Sequence, residues 1–287
     1  MLEREEYIEQ AYFFNLLHER IPQSVPLQDV LQQAKQELLA STRLPLAVDY
    51  LLTELNHSGA MSPAMRRLGH YFTAFQTFII ESAEDERGRF DMRIAVQVLK
   101  AEAEYRAGNP TPQGSFVFQF ETLARNRLSY DRGLAAMAED PIYSPEWREW
   151  ILTVRRQIGL IDFADLLYVR SAYYWMRQSV GGQPVTPTKP VLFGEKEGKI
   201  AWANRRKDPL YLFAALQRQL GYPKVPRPTP PDSPADLVPQ LLRRLERLEL
   251  RLRMLEEEQR HGAIDFQKLQ QYYQEGKVPP PMDDPSD

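Results

Sequence analysis

The distribution of proline and glycine constrains the fold of this chain most, because both residues interrupt regular secondary structure. The 287-residue sequence contains 23 prolines and 14 glycines, and the prolines are clustered. Between the clusters the sequence is rich in Leu, Ala, Glu, Gln and Arg, which are among the better helix formers. We therefore predict an all-α fold, in which short joints connect antiparallel neighbouring helices.

Proline-rich stretches also divide the chain into predicted domains. The densest stretch, residues 221–235, has six prolines in fifteen residues and is typical of a semi-rigid polyproline linker. It separates a predicted multi-helix body, residues 1–220, from a predicted coiled-coil helix at residues 236–261. Residues 181–194 predict a long surface loop, with an internal domain edge as the alternative. Residues 262–287 predict a short amphipathic segment and then a disordered, acidic, proline-rich tail.

Capping residues predict where several helices of the body begin and end. Ser144 is followed by Pro145, a pattern that starts a helix, and Gly159 is expected to close it. Asp162 is expected to start a helix over residues 163–178, and Asp208 one that ends at Gly221. The other predicted helices lie near residues 3–20, 27–40, 45–57, 62–84, 89–107 and 113–127.

The predicted C-terminal helix carries an apolar heptad repeat. Its members recur with gaps of 3, 4, 3, 4 and 3 residues, and they are Val238, Leu241, Leu245, Leu248, Leu252 and Leu255. Such a seam is buried against identical copies, so the pattern predicts self-association. The alternative is that this helix folds back on the body as one more amphipathic helix.

Charged residues beside this seam indicate the orientation of the copies. In a parallel dimer Arg244 would face Glu249 of the other copy, and Arg251 would face Glu256, so both pairs attract. An antiparallel dimer would bring like charges together. We therefore predict a parallel homodimer, although leucine at both core positions also permits trimers and tetramers.

A metal site is the strongest catalytic alternative in the sequence. Glu54 and His57 have the ExxH spacing that places a carboxylate and an imidazole on one helical face, as in di-iron bundles. Glu81 and Glu84 are the candidates to complete the site. The competing interpretation places His57 in the last turn of a helix, where the helix dipole favours it. His70, in an aromatic segment, is expected to be a hydrogen-bonded core histidine.

Composition argues against several other classes of function. The chain has no cysteine, which excludes disulfides, Cys-ligated zinc and thiol catalysis. The net charge is −3, and the longest basic run is residues 205–207, so nucleic acid is not an expected partner. Neither a secretory signal nor a membrane span is predicted, and the expected location is the cytoplasm. No cofactor is predicted.

Three stretches resemble segments of uncharacterised all-helical bacterial proteins such as those of planctomycetes. They are LEREEYIEQAYFF (2–14), EWREWILTVRRQIGL (146–160) and FGEKEGKIAWANRRKDPLYLFAALQRQLGYP (193–223). The resemblance spans most of residues 1–223 and implies no activity. The sequence as a whole predicts a non-enzymatic scaffold or protein-interaction protein, whose partners are itself and an unidentified protein. A metal-carboxylate helical-bundle enzyme is the alternative.

Overall fold

The computed structural model describes residues 1–23, 25–85, 88, 90–178 and 186–227. Within these residues the chain forms thirteen α-helices and a short 3-10 turn, and it forms no strand. The all-α class is therefore confirmed for this part of the chain. The helices are α1 (Arg4–Arg20), α2 (Leu27–Glu37), α3 (Leu44–Ser58), α4 (Ser62–Arg67), α5 (Ala74–Glu84), α6 (Met92–Ala107), α7 (Pro112–Arg125), α8 (Tyr130–Ala138), α9 (Pro145–Gln157), α10 (Phe163–Tyr168), α11 (Ala172–Gln178), α12 (Glu195–Ala203) and α13 (Pro209–Leu220).

The predicted caps are present. The side chains of Ser144, Asp162 and Asp208 accept backbone hydrogen bonds at the starts of α9, α10 and α13. Gly221 adopts a left-handed conformation, with φ of 67°, and ends α13. These helix ends follow from local chemistry, because a side-chain oxygen satisfies a free amide and glycine has no Cβ to clash.

Two predicted helices are each divided in the structure. The predicted helix at 62–84 is split into α4 and α5, because Thr73 and Gln76 form a capping box that starts a new helix. The predicted helix at 163–178 is split into α10 and α11 at Ser171, which forms a bridge with Phe193. Helix α8 was not predicted.

Aromatic residues dominate the core of the second half of the body. Phe116 of α7 lies at its centre, and its ring centroid is 4.7 Å from that of Trp150 and 6.4 Å from that of Phe193. Beside this group, Phe120 and Phe163 stack with centroids 3.9 Å apart. These rings join α7, α9, α10 and the segment before α12, and burial of such large apolar surfaces is the main favourable term in folding.

A buried polar network joins α6, α7 and the segment between α8 and α9. Its members are Glu102, Arg106, Gln119, Asp140 and Tyr143, and each is at most 3% exposed. Arg106 Nη2 lies 2.9 Å from Glu102 Oε1 and also pairs with Asp140. Gln119 donates to Glu102 and Asp140 at 2.9 and 3.1 Å, and it accepts a bond of 2.7 Å from the Tyr143 hydroxyl. This network, which we call the buried network, fixes three segments relative to one another.

The pKa of Arg106 reflects two opposing effects in this network. Burial disfavours its charge, but the carboxylates of Glu102 and Asp140 outweigh burial and hold the pKa above its ordinary value. Burial, reinforced by Asp140, raises the pKa of Tyr143. Arg106 is therefore charged and Tyr143 is neutral at physiological pH.

The first residues of the predicted linker pack against the body. Tyr222 and Val225 are buried, and the Tyr222 hydroxyl donates to Glu121 Oε2 at 2.6 Å. Asn126 donates to the carbonyl of Pro226 at 3.1 Å. These contacts place residues 222–226 in the same compact unit as the body. The predicted coiled-coil helix at 236–261 lies outside the described residues.

Candidate binding clefts

A cleft of about 390 Å³ opens between α7, α10 and α13. Its walls are mainly apolar, and they include Phe120, Tyr130, Phe163, Leu210 and Phe213. We call it the apolar cleft. Its volume is in the range of ligand pockets, which usually combine apolar walls with a few polar groups.

Closely packed aromatic rings form the floor of the apolar cleft. The Phe213 centroid lies 5.8 Å from that of Phe163 and 6.2 Å from that of Phe120. The caps at Asp162 and Asp208 start α10 and α13 beside the cleft and so position Phe163 and Leu210 on its walls. Local caps and ring packing together therefore determine the shape of the apolar cleft.

The surface near the apolar cleft exposes large apolar side chains. On its wall, Leu210 is 45% exposed, and the next residue, Tyr211, is 67% exposed. Ile158, also on the wall, bridges to Ile161, and the intervening Leu160 is 84% exposed. Clustered exposure of this kind is typical of interaction surfaces, because water disfavours it.

Among the residues that line the apolar cleft, carboxylates outnumber the one basic side chain, although the exposed Arg206 and Lys207 directly precede Asp208. Arg125 is the one basic residue in its wall, and it forms an ion pair with Glu121. Asp162 uses both oxygens to accept backbone amides, from Ala164 and Arg206. Asp208 accepts one amide at 2.8 Å through Oδ1, and its side chain is exposed. A basic group of a partner would therefore be favoured beside the apolar walls.

A second cleft, of about 630 Å³, lies elsewhere on the body and has different chemistry. Arg43, Arg66 and Arg132 line it, and we call it the arginine cleft. Its walls also contain four aromatic residues, Tyr7, Tyr71, Phe72 and Phe78. Arg43 directly precedes α3, Arg66 belongs to α4 and Arg132 belongs to α8. The fold therefore brings together residues that are far apart in the sequence.

One carboxylate holds two of these arginines. Glu81 Oε1 lies 2.9 Å from Arg66 Nη2, and Glu81 Oε2 lies 2.9 Å from Arg132 Nη2. The exposed side chain of Arg43 has no hydrogen bond or ion pair to any residue that the structure describes. His70 also lines the cleft and is exposed, so its predicted place in the core is wrong. It lies in the turn between α4 and α5, which the sequence pattern did not reveal.

Glu6 of α1 supports the wall of the arginine cleft from behind. Its Oε2 accepts a bond of 2.7 Å from the Tyr71 hydroxyl, and its Oε1 accepts a bond of 2.9 Å from the Arg43 amide. Burial and this hydrogen bond raise the pKa of Tyr71 well above its ordinary value. Tyr71 therefore serves as a neutral hydrogen-bond donor that fixes the wall.

The structure does not assemble the predicted metal site. Among the residues it describes, no group of three or more His, Asp or Glu side chains is placed to hold a metal ion. Glu54 pairs with Arg67 at 2.8 Å, and Glu81 binds the two arginines of the cleft. Glu84 accepts the amides of Met61 and Ser62 at 2.6 and 3.1 Å. His57 is exposed in the last turn of α3, as the competing interpretation of that residue expects.

The predicted oligomerisation residues lie outside the described residues. They comprise the seam from Val238 to Leu255 and the flanking Arg244, Glu249, Arg251 and Glu256. Self-association through them therefore stays a prediction. Across the described residues, no helix combines the length and the apolar character that crossing a bilayer requires.

Sequence reasoning did not find either cleft. The aromatic residues of the apolar cleft have the helical spacing of core residues. Only the packing of α7, α10 and α13 in the folded chain shows that they border an opening. Nothing local distinguishes Arg43, Arg66 or Arg132 from other surface arginines. Comparison of the chain with protein-family models, curated protein sequences and solved structures gave no match.

Proposed function

We propose that this protein is a non-enzymatic interaction protein whose helical body binds a partner protein at the apolar cleft. The observation that carries the proposal is the exposed apolar surface beside a closely packed aromatic floor. Leu210 and Tyr211 are both well exposed there, and anchors that dominate protein interfaces fill pockets of this kind.

The chemistry of the cleft specifies the partner segment. Its aromatic floor accepts an aliphatic or aromatic side chain, and the exposed carboxylate of Asp208 favours a neighbouring Lys or Arg. The basic residue in the wall, Arg125, is already paired with Glu121 and contributes little repulsion. The proposed partner segment therefore carries an apolar anchor beside a basic residue.

The second part of the proposal is a parallel homodimer formed through the C-terminal heptad helix. The repeat from Val238 to Leu255 and the attractive pairs beside it support this part. Two bodies in one dimer would bind a partner with repeated segments more tightly than one body would, because the second binding step becomes intramolecular.

Light scattering on the full chain tests the dimer. We expect the double variant Leu245→Lys, Leu252→Lys to have half the mass of the wild type, since both substitutions place charges in the seam. Leu250→Lys, which lies off the seam, is the matched control and should keep the wild-type mass. A wild type with the mass of one chain at micromolar concentration would refute this part of the proposal.

Peptide display on the full-length protein tests the cleft. We expect selected peptides to share an apolar residue next to Lys or Arg and to lose binding to a Leu210→Asp variant. The control is Leu152→Asp, because Leu152 is an exposed leucine of α9 outside the cleft wall. Peptides that bind the Leu210→Asp variant as well as the wild type would show that the cleft is not the recognition site.

A further inference from the structure

The arginine cleft differs from the apolar cleft in charge, because three arginines line it and only one lines the apolar cleft. We propose that it binds a small organic anion, a carboxylate or a phosphate ester attached to an aromatic or aliphatic body. This binding site is independent of the interaction function proposed above, because no residue lines both clefts.

The arginines provide the site for the anionic head. A guanidinium binds carboxylate or phosphate through two parallel hydrogen bonds, and its charge does not titrate near neutral pH. Arg43 has an exposed guanidinium with no partner among the described residues. Charges lining the cleft comprise three arginines against Glu81 and Glu139, so positive charge is in excess.

Glu81 demonstrates how the anionic head would be held. Its two oxygens each receive a hydrogen bond of 2.9 Å, one from Arg66 and one from Arg132, so these guanidiniums converge on a single carboxylate. The side chains of Arg66, Arg132 and Glu81 are 63%, 53% and 33% exposed, respectively. A ligand head would therefore compete with Glu81 for two of the arginines, and Glu81 weakens ligand binding in the resting protein.

The aromatic wall provides the site for the apolar body. Tyr7, Tyr71 and Phe72 are buried residues that border the opening, and Phe78 lies under the Arg132 guanidinium at 5.9 Å. The Tyr7 hydroxyl accepts a bond from the Leu2 amide, and the Tyr71 hydroxyl donates one to Glu6. Beside these rings, the half-buried Leu2, Ala74, Ala135 and Ala136 also line the opening and offer apolar surface to a ligand body, whereas inorganic phosphate alone would leave this surface unfilled.

Isothermal titration of the full-length protein with four probes tests the ligand class. The probes are phenyl phosphate, phenylacetate, inorganic phosphate and benzyl alcohol. We expect at least one of the two aromatic anions to bind about tenfold more tightly than inorganic phosphate, and benzyl alcohol not to bind. The preferred aromatic anion then distinguishes a phosphate ester from a carboxylate. Equal affinity for inorganic phosphate and both aromatic anions, or no binding of either aromatic anion at millimolar concentration, would overturn the proposal.

Variants of the full-length protein then test the residues. Arg43→Ala and Arg132→Ala should each weaken binding of the preferred aromatic anion about tenfold, through loss of a charge-assisted contact. Arg218→Ala, at an exposed arginine of α13, is the control and should bind like the wild type. Unchanged affinity in both cleft variants would overturn the site.

Substitution of Glu81 gives a prediction of the opposite sign. Glu81→Gln should raise affinity about threefold, because the neutral amide competes less well for Arg66 and Arg132. Thermal unfolding confirms that this variant is folded, and if it is not, the two arginine variants decide the outcome. Lower affinity in folded Glu81→Gln would overturn the role of Glu81.

The Leu210→Asp variant tests whether the two clefts act separately. Wild-type affinity of this variant for the preferred aromatic anion would show that they do.

Discussion

Two ion-pair clusters of the body use the same chemical groups in opposite surroundings. In the buried network one arginine, Arg106, lies between two carboxylates and is 3% exposed. In the arginine cleft one carboxylate, Glu81, lies between two arginines that are more than half exposed. The first cluster joins helices inside the core, whereas the second borders an open cleft.

This difference shows that burial decides how much an ion pair contributes to stability. A buried charge that loses its partner keeps the full penalty of its desolvation, so every member of the buried network depends on the others. An exposed charge that loses its partner is solvated by water, and the pair contributes little to stability. Groups of the second kind are free to exchange one partner for another, as ligand binding requires.

Removal of the buried arginine should have the largest effect. Arg106→Met leaves Glu102 and Asp140 facing each other without a cation, and we expect the free energy of unfolding to fall by about 3–5 kcal/mol. Urea denaturation, monitored by circular dichroism, measures this free energy. A loss below about 1 kcal/mol would remove the basis of the comparison.

Loss of one neutral hydrogen bond in the buried network should have an intermediate effect. Tyr143→Phe leaves the buried Gln119 Oε1 without its donor at 2.7 Å, and we expect a loss of about 1–3 kcal/mol in unfolding free energy. Tyr12→Phe is the matched control, because the exposed Tyr12 donates a bond of the same length to Glu37. Similar losses in the two variants would contradict the role assigned to burial.

His18 is half-buried, between the buried network and the exposed arginine cleft in its exposure, and it gives a prediction about pH. Burial lowers its pKa, Lys100 and Arg93 lower it further, and Glu19 opposes them. Gln97 Nε2 lies 2.9 Å from His18 Nε2, which accepts the bond only while that nitrogen carries no proton. Because the unfolded chain binds this proton more readily, stability should be lost as pH falls below about 6.5, the ordinary pKa.

A His18→Gln variant isolates this contribution. Its midpoint of urea unfolding should fall less between pH 7.5 and pH 5.5 than that of the wild type. Identical losses in both proteins would assign the pH dependence to other groups.

Removal of an exposed arginine should have the smallest effect on stability. We expect Arg132→Ala to change the free energy of unfolding by less than about 1 kcal/mol, although it weakens anion binding. The same denaturation experiment measures it. A loss as large as that of Arg106→Met would show that the arginine cleft is part of the structural framework.

Local chemistry in the sequence predicted much of the helical body. The caps at Ser144, Asp162 and Asp208 and the stop at Gly221 fall where the sequence places them, because each depends on nearest neighbours. The start of α5 was also visible, as the Thr73 to Gln76 capping box. Apolar residues continue through that segment, however, so their spacing alone predicts one unbroken helix.

Features that depend on distant contacts were not predictable from the sequence. The division at Ser171 requires Phe193, which approaches only in the folded chain. The residues of the alternative metal site have other partners for the same reason, since Glu84 accepts amides at the start of α4 and Glu54 pairs with Arg67. The three arginines of the cleft come from separate segments, and their convergence is a property of the fold.

The contact of Glu6 with Arg43 and Tyr71 has a thermodynamic consequence. It ties the arginine cleft to three segments that are distant along the chain, so the cleft is complete only in the native state. A compound that occupies the cleft therefore shifts the folding equilibrium by mass action, by about 2.7 kcal/mol at a free concentration one hundred times its Kd. An anion that binds the arginine cleft should therefore raise the melting temperature of the protein, and an anion that does not bind should leave it unchanged.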